Sequence, residues 1–376
     1  MSKPRIYIIV LAFCIMQTGL QLCVAMAQSV KQTAFELNKG INISAWLSQT
    51  SLTSGAERVN YFTEKDLQEL ARLGFDHIRL PVSEKQLYDK DGNKNHETFA
   101  LIHQTIGWCQ KTNMRVILDC HDLKVSRDGK PKAGEVSLWE NDEAKEHLVK
   151  LWQTFSAEFG RYPNSLLAYE LLNEPVAPDP GIWNDVAARV IAAIRKAETS
   201  RVIVLASNKF NSVSTFDKLK VPANDPNIIL SFHFYHPGLL THYNVDSYEN
   251  TDGVSGLKLS YPGKLVTDEQ VTQLNEKSKE KLKVYNGTYN RQKLTEMLDK
   301  VFAKAKETGL RIHCGEFGAN FKYPDLDLQL RWVQDIVAVF KQYKIPYTVW
   351  GYRKQFGVFD DNRKVKDTRY LNAIIN

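Results

Sequence analysis

The chain has 376 residues, 43% hydrophobic and 24% charged, with a formal net charge of +6. This is ordinary globular composition, long enough for a sizeable core, and it excludes a disordered chain. The basic surplus is spread along the sequence, so it makes no nucleic-acid footprint.

The first element in chain order is a leader. Lys3 and Arg5 form a basic start, 6–24 is mostly apolar, and Ala25-Met26-Ala27 offers a cleavage site. Residues 1–27 therefore read as a secretory signal peptide and 28–376 as one mature domain. An uncleaved anchor is the competing reading, but Gln17, Thr18, Gly19 and Gln21 interrupt the apolar run. Leu22 before Cys23 is too bulky for lipid attachment of the bacterial type. No later segment is apolar enough to span a membrane. Cleavage takes away Lys3 and Arg5 and no acid, so the net charge falls from +6 to +4. Of the five cysteines it leaves Cys109, Cys120 and Cys314, at a spacing that fits no zinc pattern. Cys120 and Cys314 sit in strand-like runs, which predicts buried free thiols rather than a disulfide framework.

Short β-branched or apolar runs at 39–44, 77–80, 115–120, 166–171, 201–206, 228–232, 311–314 and 347–350 predict strands. Between several of them lie amphipathic stretches. One starts at Thr63 with acids in its first turn and closes at Gly74; others cover 97–111, 143–160, 182–197, 291–306 and 326–343. Strand alternating with helix predicts a parallel sheet, and eight strands predict a single α/β (β/α)₈ TIM barrel. Residues 237–290 form a long insertion after strand 6, rich in Tyr, Gly, Asn and Ser. Stretches of that length without structure are usually functional.

Polar groups follow the apolar strands: Arg79, His121, Asn173 with Glu174, His233 with Tyr235, and Glu316, while Trp350 ends the eighth. Each alone has a bland explanation in a core hydrogen bond, an ion pair or packing. A barrel brings all its strand ends to one mouth, so the joint pattern points to a site. Two carboxylates across such a mouth can break a glycosidic bond, one protonating the leaving oxygen and one attacking or activating water. Trp350, Trp46, Trp139 and Tyr352 are candidate platforms for the C–H faces of sugars.

The stretch Leu167-Ala-Tyr-Glu-Leu-Leu-Asn-Glu-Pro-Val176 resembles the cellulase family, glycoside hydrolase family 5, at every position. The resemblance extends over nearly the whole mature chain. It includes Gly40-Ile41-Asn42, Arg79 before Leu80-Pro81, His121, His233-Phe234-Tyr235, Gly315-Glu316-Phe317-Gly318 and Trp350. It implies retaining hydrolysis with Glu316 as nucleophile and Glu174 as acid/base. Asn173 would bind the 2-hydroxyl, Tyr235 and Arg79 would hold Glu316, His121 and His233 would position hydroxyls or catalytic groups, and Trp350 would lie under the reacting ring. It implies no metal or organic cofactor and a β-linked polysaccharide or oligosaccharide as partner. The leader implies secretion, extracellular or periplasmic, and the mature chain is expected to be a monomer.

The expected activity is endo-β-1,4-glucanase, with endo-β-mannanase or an exo-acting β-glucosidase or β-1,3-glucanase as competitors. Tyr243, Tyr248 and Tyr261 in the insertion are expected to shape outer subsites. Two readings of another kind compete. A metal-dependent hydrolase could draw ligands from Asp119, His121, His233, His236 and His313, although these form no tight motif. A non-catalytic carbohydrate-binding protein would need a damaged acid pair, and both acids are present.

Overall fold

The computed structural model describes residues 35–128, 135–243, 256–321 and 325–376. The predicted leader lies outside them. Eight parallel strands close into a barrel: β1 (Lys39–Asn42), β2 (His77–Ser83), β3 (Arg115–Asp122), β4 (Leu167–Glu170), β5 (Val202–Ala206), β6 (Ile228–Phe234), β7 (Arg311–Phe317) and β8 (Tyr347–Val349). β1 pairs with both β2 and β8, and the expected (β/α)₈ barrel is found.

Side chains alternate across each strand, and the sequence uses that period twice. Outward positions such as Val116, Leu118, Leu167, Tyr169, Ile203, Leu205, Ile228 and Leu230 join the large core under the helices. Inward positions Ile117, Ala168, Val202, Val204 and Ile229 form a separate cluster that Phe35 closes from below. Two residues further along, the same inward rows turn polar: Ile117 is followed by Asp119 and His121, Ala168 by Glu170, Ile229 by Ser231 and His233. The barrel thus has a dry floor and a polar upper half, which fixes where chemistry can occur.

The longer helices among the described residues are α1 (Glu64–Arg72), α2 (His96–Lys111), α3 (Asp142–Phe159), α4 (Pro180–Ala197), α5 (Asp299–Thr308), α6 (Leu326–Gln342) and α7 (Thr368–Ile375). Thr63 and Asp66 form a capping box at the start of α1, and Gly74 beyond its end has φ +98. Asn95, Asn141, Asp179, Asp325 and Asp367 cap the starts of α2, α3, α4, α6 and α7. The predicted helix 291–306 is two: Arg291–Glu296, then α5 after a break at Met297 and Leu298. After β5 the connection is a short 3₁₀ turn, Val213–Lys218.

The insertion is not a structureless loop where it is described. It holds helices Asp268–Thr272 and Glu276–Leu282 and an antiparallel pairing of Gly263–Lys264 with Thr288–Tyr289. Tyr243 and Tyr261 are not free to shape outer subsites. Tyr243 is buried and its hydroxyl donates to Leu257 O, while Tyr261 is buried and donates to Asp335 on α6. Tyr248 lies outside the described residues. Cys109, Cys120 and Cys314 are buried free thiols, as expected.

Candidate active site

Arg79 organises the upper barrel. It is fully buried on β2, and its guanidinium reaches four other strands. Nε and Nη2 form a fork on Glu170 of β4 at 2.7 and 3.0 Å. Nη1 donates to Asn42 Oδ1 at 2.9 Å and to Glu316 Oε1 at 2.7 Å. Nη2 also reaches Asn173 Oδ1 and Asp119 Oδ2, each at 2.9 Å. One cation therefore faces three buried carboxylates, which is stable only if protons make up part of the difference. Burial pushes Asp119 up to about 7 against the pull of Arg79, and raises Glu170 in the same way.

Glu316 reaches this mouth through an irregularity. On β7, His313 points inward and Cys314 outward, so strict alternation would send Glu316 out. The register against β6 slips between Phe232 and His233, pairing His233 with Glu316. A bulge of this kind re-aims a side chain. Gly315 keeps the slip uncrowded, because a Cβ there would lie 2.8 Å from Ser231 Oγ and 3.3 Å from His233 Nε2. Glu316 then accepts from Arg79 and, at 2.9 Å, from the Tyr235 hydroxyl. Burial and the adjacent Glu316 push the Tyr235 phenol well above its ordinary range, so it stays a donor.

Glu174 follows β4 with a left-handed backbone, φ +48, and its side chain is 23% exposed. Its Oε1 lies 2.9 Å from His233 Nδ1, which is also 3.5 Å from Glu316 Oε2. Asn211 Nδ2 donates to His233 Nε2 at 3.1 Å, which leaves the ring proton on Nδ1, between the acids. One ligand atom each of Glu174, His233 and Glu316 lies within 4.8 Å of the others. Among the described residues this is the one trio close enough to hold a metal ion. Hydrogen bonds already engage these ligand atoms: His233 Nδ1 faces both acids, and Arg79 and Tyr235 donate to the two oxygens of Glu316. Burial raises both acids. Arg127, His121 and Arg79 oppose this at Glu174; His233 and Arg79 oppose it at Glu316, where Glu174 adds to the rise.

His121 Nδ1 donates to Asp119 Oδ2 at 2.7 Å, its Nε2 has no protein partner, and its ring stacks on Trp350 at 5.6 Å and 8°. Trp350 is partly exposed at the mouth. The structure thus gathers Arg79, His121, Asn173, Glu174, His233, Tyr235, Glu316 and Trp350. It does not bring three aromatic candidates there. Trp46 is fully buried, donates to Arg58 O and packs on Phe62. Trp139 is buried against Trp183 and donates to Arg127 O. Tyr352 is buried on Phe62 and Phe359. None offers a ring face to a sugar. Glu170 is not among the sequence-predicted site residues, Asp119 enters there only as a possible metal ligand, and Asn42 only as part of the first strand. The available signal for the two acids was a charged residue at an inward position of an otherwise apolar strand.

Burial also pushes His242, which packs on Tyr235 and Phe356, down to about 4. An imidazole depressed in the fold contributes stability above its unfolded value near 6.5, lost as the pH falls toward 4. The raised site acids act in the opposite sense, so the clean readout is a difference. The thermal midpoint of His242→Phe relative to wild type is expected to climb as the pH is lowered from 6.5 to 4. An offset that stays constant with pH would show that His242 is not the proton-refusing group.

A family model described as Cellulase (glycosyl hydrolase family 5) matches residues 39–355. The chain is 29% identical over 340 residues to Endoglucanase C of Acetivibrio thermocellus, covering 89% of this chain and 97% of that one. It is 27% identical over 312 residues to Cellodextrinase A of Ruminococcus flavefaciens, covering 82% and 83%. The endoglucanase Cel5A of Thermotoga maritima shares the fold at TM-score 0.71 and 22% identity, over 90% of this chain and 97% of that one. Among the described residues, no helix is long and apolar enough to cross a membrane. The match to the family model over most of the sequence places the chain in the cellulase family, glycosyl hydrolase family 5, and makes it a glycoside hydrolase.

Proposed function

We propose that this glycoside hydrolase cuts internal β-1,4 bonds of a glucan by double displacement, with Glu316 as nucleophile and Glu174 as acid/base. The observation that carries the mechanism is the approach of the two carboxylates to within 4.8 Å. Retaining enzymes hold their acids roughly 5–5.5 Å apart, whereas inverting ones need about 6.5–9.5 Å to admit a water. Arg79 and Tyr235 both donate to Glu316 and favour its anion. Glu174 has neither donor, so the shared proton rests there and can pass to the leaving oxygen. Once Glu316 becomes a neutral ester, it no longer places a negative charge beside Glu174. Glu174 can then take a proton from the attacking water. Asn173 beside it is suited to the 2-hydroxyl, His121 Nε2 to a neighbouring hydroxyl, and Trp350 to the face of the reacting ring.

Similarity to Endoglucanase C supports the substrate and the endo mode; similarity to Cellodextrinase A supports a second reading, in which short cellodextrins are preferred. An endo enzyme must also hold sugar on the leaving-group side. Phe210, 55% exposed, stands beside the acid, its N–H donating to Pro175 O. Lys209, Phe210 and Asn211 are all left-handed, a conformation kept only where surrounding structure enforces it. Phe210→Ala is expected to lower kcat/KM on cellohexaose about 10-fold, the scale of one lost aromatic platform. It should leave β-cellobiosyl fluoride, which has no aglycone ring, unchanged. The decisive test of the substrate is the product profile on β-glucans, mannans and xylans. A ladder from cellulose-type glucan supports the endo reading, cleavage of oligosaccharides alone supports the second, and mannan as best substrate overturns both. The 1–27 leader directs secretion, read by the N-terminus of protein recovered outside the cytoplasm, and the mature chain is proposed to be a monomer, read by its mass in solution.

A further inference from the structure

We propose that Arg127 is a positioning residue for the proton donor, a guanidinium clamp that holds the backbone of Asn173 and Glu174 in the turn that aims the Glu174 carboxyl. The proposal rests on the reading of Glu174 as acid/base. A single nitrogen, Arg127 Nη1, donates to Asn173 O at 2.6 Å and to Glu174 O at 2.7 Å. In extended chain, successive carbonyls point to opposite sides, so one donor cannot take both. The pair converges because Glu174 is left-handed, φ +48, a region non-glycine residues rarely occupy. Pro175 after it also disfavours the right-handed helical alternative. The clamp thus selects the turn, and releasing it frees Glu174 to relax toward extended backbone and swing its carboxyl off target.

Arg127 is itself held from several directions. Its carbonyl accepts from Val176 N at 3.2 Å and from Trp139 Nε1 at 2.8 Å. Its Nη2 lies 3.5 Å from Asp122 Oδ1, while Asp122 Oδ2 accepts from Ser83 Oγ at 2.9 Å. Trp139 therefore bears on the site through this loop and not as a sugar platform. The Arg127 side chain is 18% exposed and lies outside the barrel core, so its replacement is compatible with folding. Its charge acts on Glu174 together with Arg79 from β2, Asp119, His121 and Asp122 from β3, His233 from β6, Tyr235 just after it, and Glu316 from β7. Of the cations, Arg127 opposes the burial of Glu174 most.

The test compares Arg127→Met, Arg127→Lys, Trp139→Phe and Glu174→Ala on cellotetraose and on 2,4-dinitrophenyl β-cellobioside, whose leaving group needs no proton. A displaced acid is expected to lower kcat/KM on cellotetraose about 10²-fold in Arg127→Met while changing the activated substrate less than about 5-fold. The alkaline limb of its pH profile should move up, because the cation opposing Glu174 is gone. Arg127→Lys keeps that limb in place and loses part of the rate on cellotetraose. Trp139→Phe, which removes only the N–H, shifts rates in the same direction by less. Equal losses on both substrates, or none, overturn the clamp while a steep leaving-group dependence in Glu174→Ala leaves the acid assignment standing. Glu174→Ala without that dependence removes the acid assignment and the clamp together.

Discussion

Replacing Glu316 with alanine is expected to lower kcat by roughly 10⁴-fold or more on every β-glucoside tested, activated or not, because the covalent step has no other nucleophile. Glu316→Gln should match it, since an amide fills the same space without attacking. Glu174→Ala should instead lose about 10²–10⁴-fold on unactivated bonds and far less in forming the intermediate from a dinitrophenyl glycoside. Azide makes the two roles distinguishable by product. In Glu316→Ala it can occupy the vacated carboxylate position and attack from that face, giving the α-glycosyl azide. In Glu174→Ala it can attack the glycosyl-enzyme from the opposite face, giving the β-azide. Both variants should keep binding cello-oligosaccharides, because the aromatic and hydrogen-bonding surfaces are untouched. The reverse pattern of azide products would exchange the two assignments. Full activity in either variant would remove the double displacement altogether.

The strand ends were legible because a barrel compresses a long sequence into one rule. An apolar run of four to eight residues followed by a charged group marks a strand and its mouth. His121, Glu174 and His233 followed it; Arg79 did not, being the third residue of β2 and marked only by its charge in a buried strand. Glu316 was readable from the motif but not from alternation, since its inward aim depends on a register slip that only the pairing with β6 reveals. Asp119 and Glu170 carried a signal, a charge at an inward position of a buried strand, which the strand-end rule passed over. Trp46, Trp139 and Tyr352 failed for a different reason. An aromatic near a strand end fits a core as well as a sugar, and neighbours distant in sequence decide which: Phe62 for Trp46, Trp183 for Trp139, Phe359 for Tyr352. Arg127 left no pattern at all, because its function is to meet two carbonyls, and backbone carbonyls are invisible in a sequence. The insertion read as loop because its helices are short and capped one at a time, and its buried Tyr261 contacts a helix that follows much later.

Arg79→Met is expected to do more than slow the reaction. It leaves Asp119, Glu170 and Glu316 facing one another without their shared cation, and breaking one side of a buried ion cluster costs about 3–5 kcal/mol. The thermal midpoint should fall accordingly, most at high pH, where the three carboxyls are driven to ionise. The remaining activity should show an acid limb displaced to higher pH, because losing the guanidinium raises Glu316 further above its ordinary range. Arg79→Lys separates charge from geometry. A lysine restores the cation but offers three donors from one point, and cannot reproduce the fork on Glu170 while reaching Asn42, Asn173 and Glu316. Its stability should recover in part while kcat stays about 10²–10³-fold below wild type, the scale of removing an oriented donor from a developing charge. If Arg79→Lys regained full activity, the site would need only a positive charge beneath the nucleophile. The five-donor fit of Arg79 would then matter to the fold alone. If Arg79→Met kept its acid limb in place, the ionisation of Glu316 would have to rest on Tyr235 and His233, and Tyr235→Phe would become the variant that moves it.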